Sequence, residues 1–414
     1  MQDVELYRLI LGIEVPWKVE EVRLDTETSE VHVDLSHAEG VPWKCPCCER
    51  RLSIHDHVAE RQWRHLDTCQ YRTWLHARIP RVKCPEHGVK QVQVPWAEPG
   101  SRFSLLFEGH AIEVLLACEV ITAASDILRI SWDQTWRVLE RAVERGRLRK
   151  QPGIIRYLGA DEKAFRKGHN YVTVVCDIDA GTVEYVADDR SKESLAAYFQ
   201  GLSSEQRQGI EAVAIDMHEP YVQAIKEELP LSEGKIVHDR FHIMQHATKA
   251  VDKTRRQEHK ELSAEGDHSL AKTKYVWLTS QENLSEKQGK KLAEVFHIHL
   301  KTGKAWAYKE MLRDLWNHDN PEDARTYFED WYKRVIHSRL EPMKKVARMI
   351  KERLENVISY CRHFITNAVA EGLNSKIMSI KRRARGFRNK TSFKTAIFFY
   401  CGGLNLAPTH TKPG

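Results

Sequence analysis

Two stretches, Tyr157-Leu158-Gly159-Ala160-Asp161-Glu162 and Val213-Ala214-Ile215-Asp216, decide how this chain folds. Each holds a short apolar run that ends at an aspartate, and each reads as a buried strand. An alternating run over 171–176 follows the first, then a turn at Asp179-Ala180-Gly181, then another run over 182–186. That pattern is an antiparallel three-strand meander. A helix over 194–199 leads into the 212–216 strand. The helix after it is expected to bury Val222, Ile225 and Leu229, and Lys235-Ile236-Val237-His238 reads as a short fifth strand.

Three meandering strands followed by βαβα is the order of an RNase H-like α/β domain. In that order the first and fourth strands run side by side, so Asp161 and Asp216 are expected to meet. Glu162 alternates to the opposite face and makes a poor partner for them. The third acid is Glu371, in Asn367-Ala368-Val369-Ala370-Glu371-Gly372-Leu373-Asn374. Val357, Cys361, Phe364 and Ala368 precede it at helical spacing, which puts Glu371 on the apolar seam of one helix. An ionised carboxylate is costly to bury unless something pairs with it, and a divalent cation is the usual solution. Together, Asp161, Asp216 and Glu371 offer an oxygen-rich site for two Mg²⁺ or Mn²⁺ ions, the machinery of phosphodiester cleavage and transfer. Taken singly, each acid has a plainer reading as a helix cap or a solvated side chain. Asp177, His238 and Asp239 also fall near strand ends, as supports for the ligands or as hydrogen-bonded structural groups.

With 414 residues the chain is too long for one ordinary core. Its 42% hydrophobic and 29% charged content describe a soluble globular protein. No apolar stretch reaches membrane-spanning length, and the acidic start Met1-Gln2-Asp3-Val4-Glu5 is not a signal peptide. A cytoplasmic protein with no membrane partner is expected. Nothing resembles a nucleotide-binding loop, so no nucleotide cofactor is implied. The net charge of +6 fits a nucleic-acid partner, and its distribution says more. Lys376, Lys381, Arg382, Arg383, Arg385, Arg388, Lys390 and Lys394 follow one another without an intervening acid. Such a run repels itself, and counterion release rewards its contact with phosphates.

Nine cysteines without an extracellular signal argue against a disulfide framework, and five of them cluster between Cys45 and Cys84. Cys45-x₂-Cys48 and Cys84-x₂-His87 form two knuckles suited to one closed, structural Zn²⁺. Cys47, Cys69, His55, His57 and His65 compete for those places. The chain therefore divides into a helix and hairpin (1–36), a zinc-binding domain (37–95) and a helix-turn-helix (96–150). Next come the first part of the catalytic domain (151–242), an all-helical insertion (243–360), the second part with Glu371 and the basic helix (361–406), and a tail (407–414). In the helix-turn-helix, 121–128 forms the short helix, Ile130-Ser131 the break, and Trp132 opens the third helix, whose Arg137, Arg141 and Arg145 are expected to face DNA. In the insertion, Trp277, Trp306, Trp316 and Trp331 are expected to build its own core.

These residues resemble the DDE transposases of bacterial insertion sequences, in the ISL-three-type family. The resemblance rests on the four knuckle residues, on Gly159-Ala160-Asp161-Glu162, Ala214-Ile215-Asp216-Met217 and Val237-His238-Asp239-Arg240-Phe241-His242, and above all on Ala370-Glu371-Gly372-Leu373-Asn374-Ser375-Lys376. It covers nearly the whole chain. It implies a multidomain α+β protein that reads terminal inverted repeats in double-stranded DNA, acts on target DNA, works as a homodimer in the DNA complex and carries Asp161, Asp216 and Glu371 as its triad. Lys163 departs from the apolar residue commoner there, with packing as the expected consequence. Two rival readings are an inactive zinc and helix-turn-helix regulator, and an RNase H-like nuclease that cuts without joining.

Overall fold

The structure, a computed structural model, describes residues 3–166, 170–296 and 300–408. The chain forms two compact units: Met1–Gln151 with Ile380–Gly414, and Pro152–Ser379.

The first unit opens with the helix Asp3–Ile10 and the antiparallel pair β1 (Trp17–Asp25) and β2 (Glu30–His37). Short strands β3 (Trp43–Lys44) and β4 (Arg51–Leu52) frame the first knuckle, and β5 (Ile54–His57), β8 (Pro80–Cys84) and β9 (Gly88–Gln91) frame the second. Between them lie β6 (Arg61–Thr68) and β7 (Tyr71–Ala77), which join the first hairpin in a sheet ordered β1-β2-β7-β6. Because β2 pairs in parallel with β7, residues 1–36 and 37–95 share one sheet and one core instead of forming two domains. Trp17, Trp63 and Trp96 meet edge to face at its centre, with Trp43 edge-on to Trp17.

Three helices follow, Leu105–Cys118, Ile121–Leu128 and Trp132–Arg149. Ser131 caps the third through a reciprocal box with Gln134, and Arg129 takes a left-handed turn just before it. The expected helix-turn-helix is thus present, but two of its arginines point inward. Arg145 is buried, pairs with Glu98 and Glu108, and donates to the Leu406 carbonyl. Arg141 also reaches Glu108, 2.5 Å away. The expectation that Arg141 and Arg145 face DNA is therefore corrected: their charges are spent on a buried carboxylate. Residues from Ile380 onward, expected in the catalytic domain, cluster with this unit, where Arg147 lies over the Phe398 ring of the helix Lys390–Cys401. The tail expected at 407–414 lies outside the described residues from 409 onward.

In the second unit, β10 (Tyr157–Arg166), β11 (Asn170–Asp177), β12 (Thr182–Ala187), β13 (Ala212–Ile215) and β14 (Ile236–His238) form a sheet ordered β12-β11-β10-β13-β14. The first three are antiparallel, and β10, β13 and β14 are parallel, as the RNase H-like order requires. Alternation sorts the faces. Leu158, Ala160, Val213 and Ile215 join Leu195, Phe199, Val222 and Ile225 from the helices Lys192–Gln200 and Glu219–Glu228 on one side. Ala212, Ala214 and Val237 meet Ile365 on the other. Asp177 caps the β11–β12 turn by accepting from Asp179 and Ala180, a structural role.

A helix over Arg240–Ala264 starts the insertion, whose single core runs from Ile243 to Cys361 and buries Trp277, Trp306, Trp316 and Trp331. The seam expected to carry Glu371 does not exist as one helix. The chain stops at Phe364, which is left-handed and 56% exposed, and a new helix, Ala368–Arg383, begins beyond it. The break lets Ile365 drop onto the sheet. No helix among the described residues is long and apolar enough to cross a membrane.

Glu108 is 1% exposed and bonded to Ser101, Arg141 and Arg145. Glu108→Ala would leave Arg145 buried without that partner, and is expected to cost the first unit about 3–5 kcal/mol. Chemical denaturation followed by tryptophan fluorescence checks this.

Candidate active site and zinc centre

Ala160 pairs with Ile215 across the parallel β10–β13 ladder. The next residue on each strand is an aspartate, so Asp161 and Asp216 are neighbours on the face that also carries Gly159 and Ala214. Gly159 faces the start of the helix Ala368–Arg383. A Cβ there would stand 2.9 Å from Cys176 Sγ, 3.2 Å from Ala370 Cβ and 3.3 Å from Asn367 Oδ1. A glycine inside an apolar strand often marks such an approach. One turn along the helix, Asn374 Nδ2 donates to Asp161 Oδ2. Glu371 lies between these contacts, in the first turn, where a helix favours negative charge.

The acids disfavour one another's charge. Burial raises the Asp161 carboxyl above its ordinary value; the Lys163 ammonium, 3.2 Å away, opposes this, and the Asp216 charge adds to it. Glu371 is raised as well, first by burial and then by Asp239, with Asp161 and Asp216 adding to it and His242 opposing. His242 Nδ1 lies 2.6 Å from Asp216 and 3.0 Å from Asp239, and these two acids lift its pKa to about 10. The Asp216 contact is a close charge pair whose angle leaves Oδ1 without an aligned hydrogen bond. Asn374 Oδ1 and Asn367 Oδ1 are likewise buried without a hydrogen-bond partner. Crowded carboxylates with raised affinity for protons, beside unfilled oxygen lone pairs, form a donor set suited to a hard divalent cation.

His242, Asn374 and Gly159 stand in the strings that carry the resemblance, but the sequence assigns them no function at the site. The signal for His242 was its position three residues after Asp239 on one helix face, and for Gly159 its place inside a buried strand. Asp239 caps the helix Arg240–Ala264 and borders Asp216, while His238 is buried, and that burial lowers its pKa to about 4. Lys163 does more than the expected packing, because it neutralises Asp161. Glu162 faces away, toward Arg190 and His218.

In the first unit Cys45, Cys48, Cys84 and His87 bring their ligand atoms within 4.8 Å of one another. Cys48 Sγ is 3.7 Å and His87 Nδ1 3.5 Å from Cys84 Sγ, and the His87 contact chiefly lowers that thiol to about 6. A Cys₃His set of this kind suits a closed tetrahedral zinc. The competitors Cys47, Cys69, His55, His57 and His65 are not in this group; His57 stacks on His37 and His65 bonds to Ser104.

Of the other basic residues, Arg137 is exposed and has no ion-pair partner among the described residues. Arg383 pairs with Glu119, while Arg382, Arg385, Arg388 and Lys376 are exposed and Lys381 and Lys390 half-buried.

Comparison with known proteins joins these parts. Residues 158–397 match a family model described as transposase; residues 41–87 match the zinc-finger of transposase IS204/IS1001/IS1096/IS1165; and residues 92–143 match the helix-turn-helix domain of transposase family ISL3. The chain belongs to the ISL3 family of transposases. A transposase for insertion sequence element IS1557 of Mycobacterium tuberculosis is 26% identical, over 94% of this chain and 93% of its own length. A transposase for insertion sequence element IS1001 of Bordetella parapertussis is 28% identical, over 84% of this chain and 86% of its own. This ISL3-family chain thus carries the zinc ribbon, helix-turn-helix and catalytic segments in the family's order.

Two tests arise from the geometry. Cys84→Ser should release zinc from the purified chain and unfold the first unit's ribbon, since structural zinc supplies folding free energy; elemental analysis and circular dichroism read both. In zinc-loaded protein without added Mg²⁺ or Mn²⁺, the raised pKa of His242 stabilises the fold fully below its unfolded value near 6.5, and that contribution fades as pH climbs toward about 10. Thermal melts across that window should show the loss, and His242→Gln should flatten it.

Proposed function

We propose that this transposase binds the terminal inverted repeats of an insertion sequence and catalyses DNA strand cleavage and strand transfer at Asp161, Asp216 and Glu371. The observation that carries this reading is the adjacency of Asp161 and Asp216 across β10–β13, on the sheet face against which the start of the Glu371 helix packs at Gly159. Those three carboxylates would hold two Mg²⁺ or Mn²⁺ ions. When bound, the ions supply activation of the attacking oxygen and stabilisation of the leaving one.

The chain's own residues prepare that site. Asn374 fixes the rotamer of Asp161, and Gly159 admits the helix that brings Glu371. Lys163 and His242 keep Asp161 and Asp216 charge-compensated until a divalent cation takes over. Zinc ribbon and helix-turn-helix supply recognition of the ends, with Arg137 on the open side of the third helix and Lys376, Lys381, Arg382, Arg383, Arg385, Arg388 and Lys390 as phosphate contacts. Two copies acting on paired ends is the assembly this implies.

Asp161→Asn, Asp216→Asn and Glu371→Gln preserve shape and remove charge. Each is expected to abolish nicking and joining of end-containing DNA with Mg²⁺ or Mn²⁺, while binding to the inverted repeat survives. Glu162→Gln should retain most activity. Strand joining at the wild-type rate by any triad variant would remove that residue from the assignment. A wild type that binds ends but never cuts would favour a regulator, and one that cuts without joining a nuclease.

A further inference from the structure

A cleft of about 1000 Å³ opens within the first unit between the ribbon's sheet and the turn of the helix-turn-helix. Five guanidinium groups line it: Arg61, Arg64, Arg72, Arg102 and Arg129, with Glu60 the one acid among its lining residues. Its wall on the helical side is Ser131 and Gln134, the capping box that starts the third helix. The floor is braced. The segment at Phe103 zips onto β6, with the Arg64 amide donating to Arg102 O at 2.9 Å and the Ser104 amide to Arg64 O at 3.0 Å. From the other side Arg129 crosses from the helical turn to Asp67, 3.2 Å, and to the Gln70 carbonyl, 2.8 Å.

Charge within the cleft does not balance. Asp67 answers Arg64 and Arg129, and Glu30 answers Arg72. Glu60, beside His76 Nδ1 at 3.3 Å, is the third acid against the five arginines. That leaves Arg61, whose guanidinium donates to the Ser101 carbonyl and lies over the Trp63 ring, and Arg102, which is exposed; neither has an ion-pair partner among the described residues. Guanidinium groups concentrated at the start of a recognition helix match the paired non-bridging oxygens of phosphodiesters.

We propose that this cleft grips the DNA backbone beside the site read by the third helix, so that the β6 and β7 edge of the four-stranded sheet is the surface that holds the phosphates. The proposal rests on the DNA-end-binding reading above and adds the place where the backbone is held. Arg61 and Arg102 make the phosphate contacts; Arg64, Arg72 and Arg129 set the positive potential behind them. Phosphate contacts position a protein on its site without carrying sequence information.

The test uses full-length zinc-loaded protein and fluorescence anisotropy, with one short duplex carrying the element's terminal repeat and one of unrelated sequence. Arg61→Ala with Arg102→Ala should weaken binding to both duplexes by a similar factor, about tenfold, and flatten the slope of log affinity against log salt by roughly 1.8, for two lost contacts. Arg23→Ala, an exposed arginine on β1 paired with Asp34, controls for lost charge and should change neither. Unchanged zinc content and melting temperature show that the double variant is folded; should it fail that check, Arg102→Ala alone, at an exposed side chain with no ion-pair partner among the described residues, carries the test with about half the slope change. Unchanged affinity and slope, in a protein whose wild type binds both duplexes, overturns the cleft and leaves end binding intact. Loss on the terminal-repeat duplex alone also overturns it, because that would be base reading. A wild type that holds neither duplex sinks the DNA reading and the cleft with it.

Discussion

Asp161 is only 7% exposed and lies inside a strand whose ladder neighbours, Val174 among them, offer its carboxylate nothing. Its charge has to be answered from outside the sheet, and much of the second unit is arranged to do so. Gly159, two residues back on the same face, gives up a side chain so that a helix can press close enough for Asn374 to reach Asp161. Lys163, two residues forward on that face, brings an ammonium. The parallel partner strand delivers Asp216 instead of relief, and His242 then compensates Asp216 and Asp239 together. Each compensation is partial, since Asp161 and Glu371 both keep raised proton affinity. A site that remains short of positive charge after recruiting a lysine and a histidine is poised for cations.

The sheet was legible because its signals are local. Alternation over 171–176 and 182–186, with a Gly-containing turn between, defines a meander without tertiary information, and strand-end aspartates are visible in the letters. What stayed hidden depended on partners distant in sequence. Spacing from Val357 to Glu371 has helical period throughout, yet the chain breaks at Phe364, because burying Ile365 against Ala214 and Val237 outweighs continuing the helix. Likewise nothing in residues 1–36 announces that β2 will pair with β7.

Arginine shows the same limit in another form. A helix carrying Arg137, Arg141 and Arg145 reads as a basic face, and spacing cannot tell which guanidinium faces solvent. The acids that claim two of them, Glu98 and Glu108, stand in the preceding loop and helix, where they look like ordinary surface charge. Buried ion pairs and nucleic-acid contacts draw on the same residue type, and only tertiary placement separates them. In this unit the separation redirects attention from the middle of the third helix to its start, where the arginines outnumber their acids.

The route to Glu371 sets a further constraint. Both aspartates come directly from the sheet, but the glutamate arrives only after the insertion has closed its core at Cys361. The last turns of that insertion are stitched to β14 and the loop before it: Asn356 meets His238 at 3.4 Å, Ser359 donates to the Ile236 carbonyl, and His363 bonds to Gly234 O at 2.8 Å. These contacts, with Ile365 on the sheet, fix where the chain stands when the Ala368–Arg383 helix begins. The buried tryptophans of the insertion therefore bear on the acidic site although none of them belongs to it. Loosening that core frees the start of the Glu371 helix and leaves Asp161 and Asp216 where β10 and β13 hold them, so the third carboxylate is the one whose position depends on the insertion being folded.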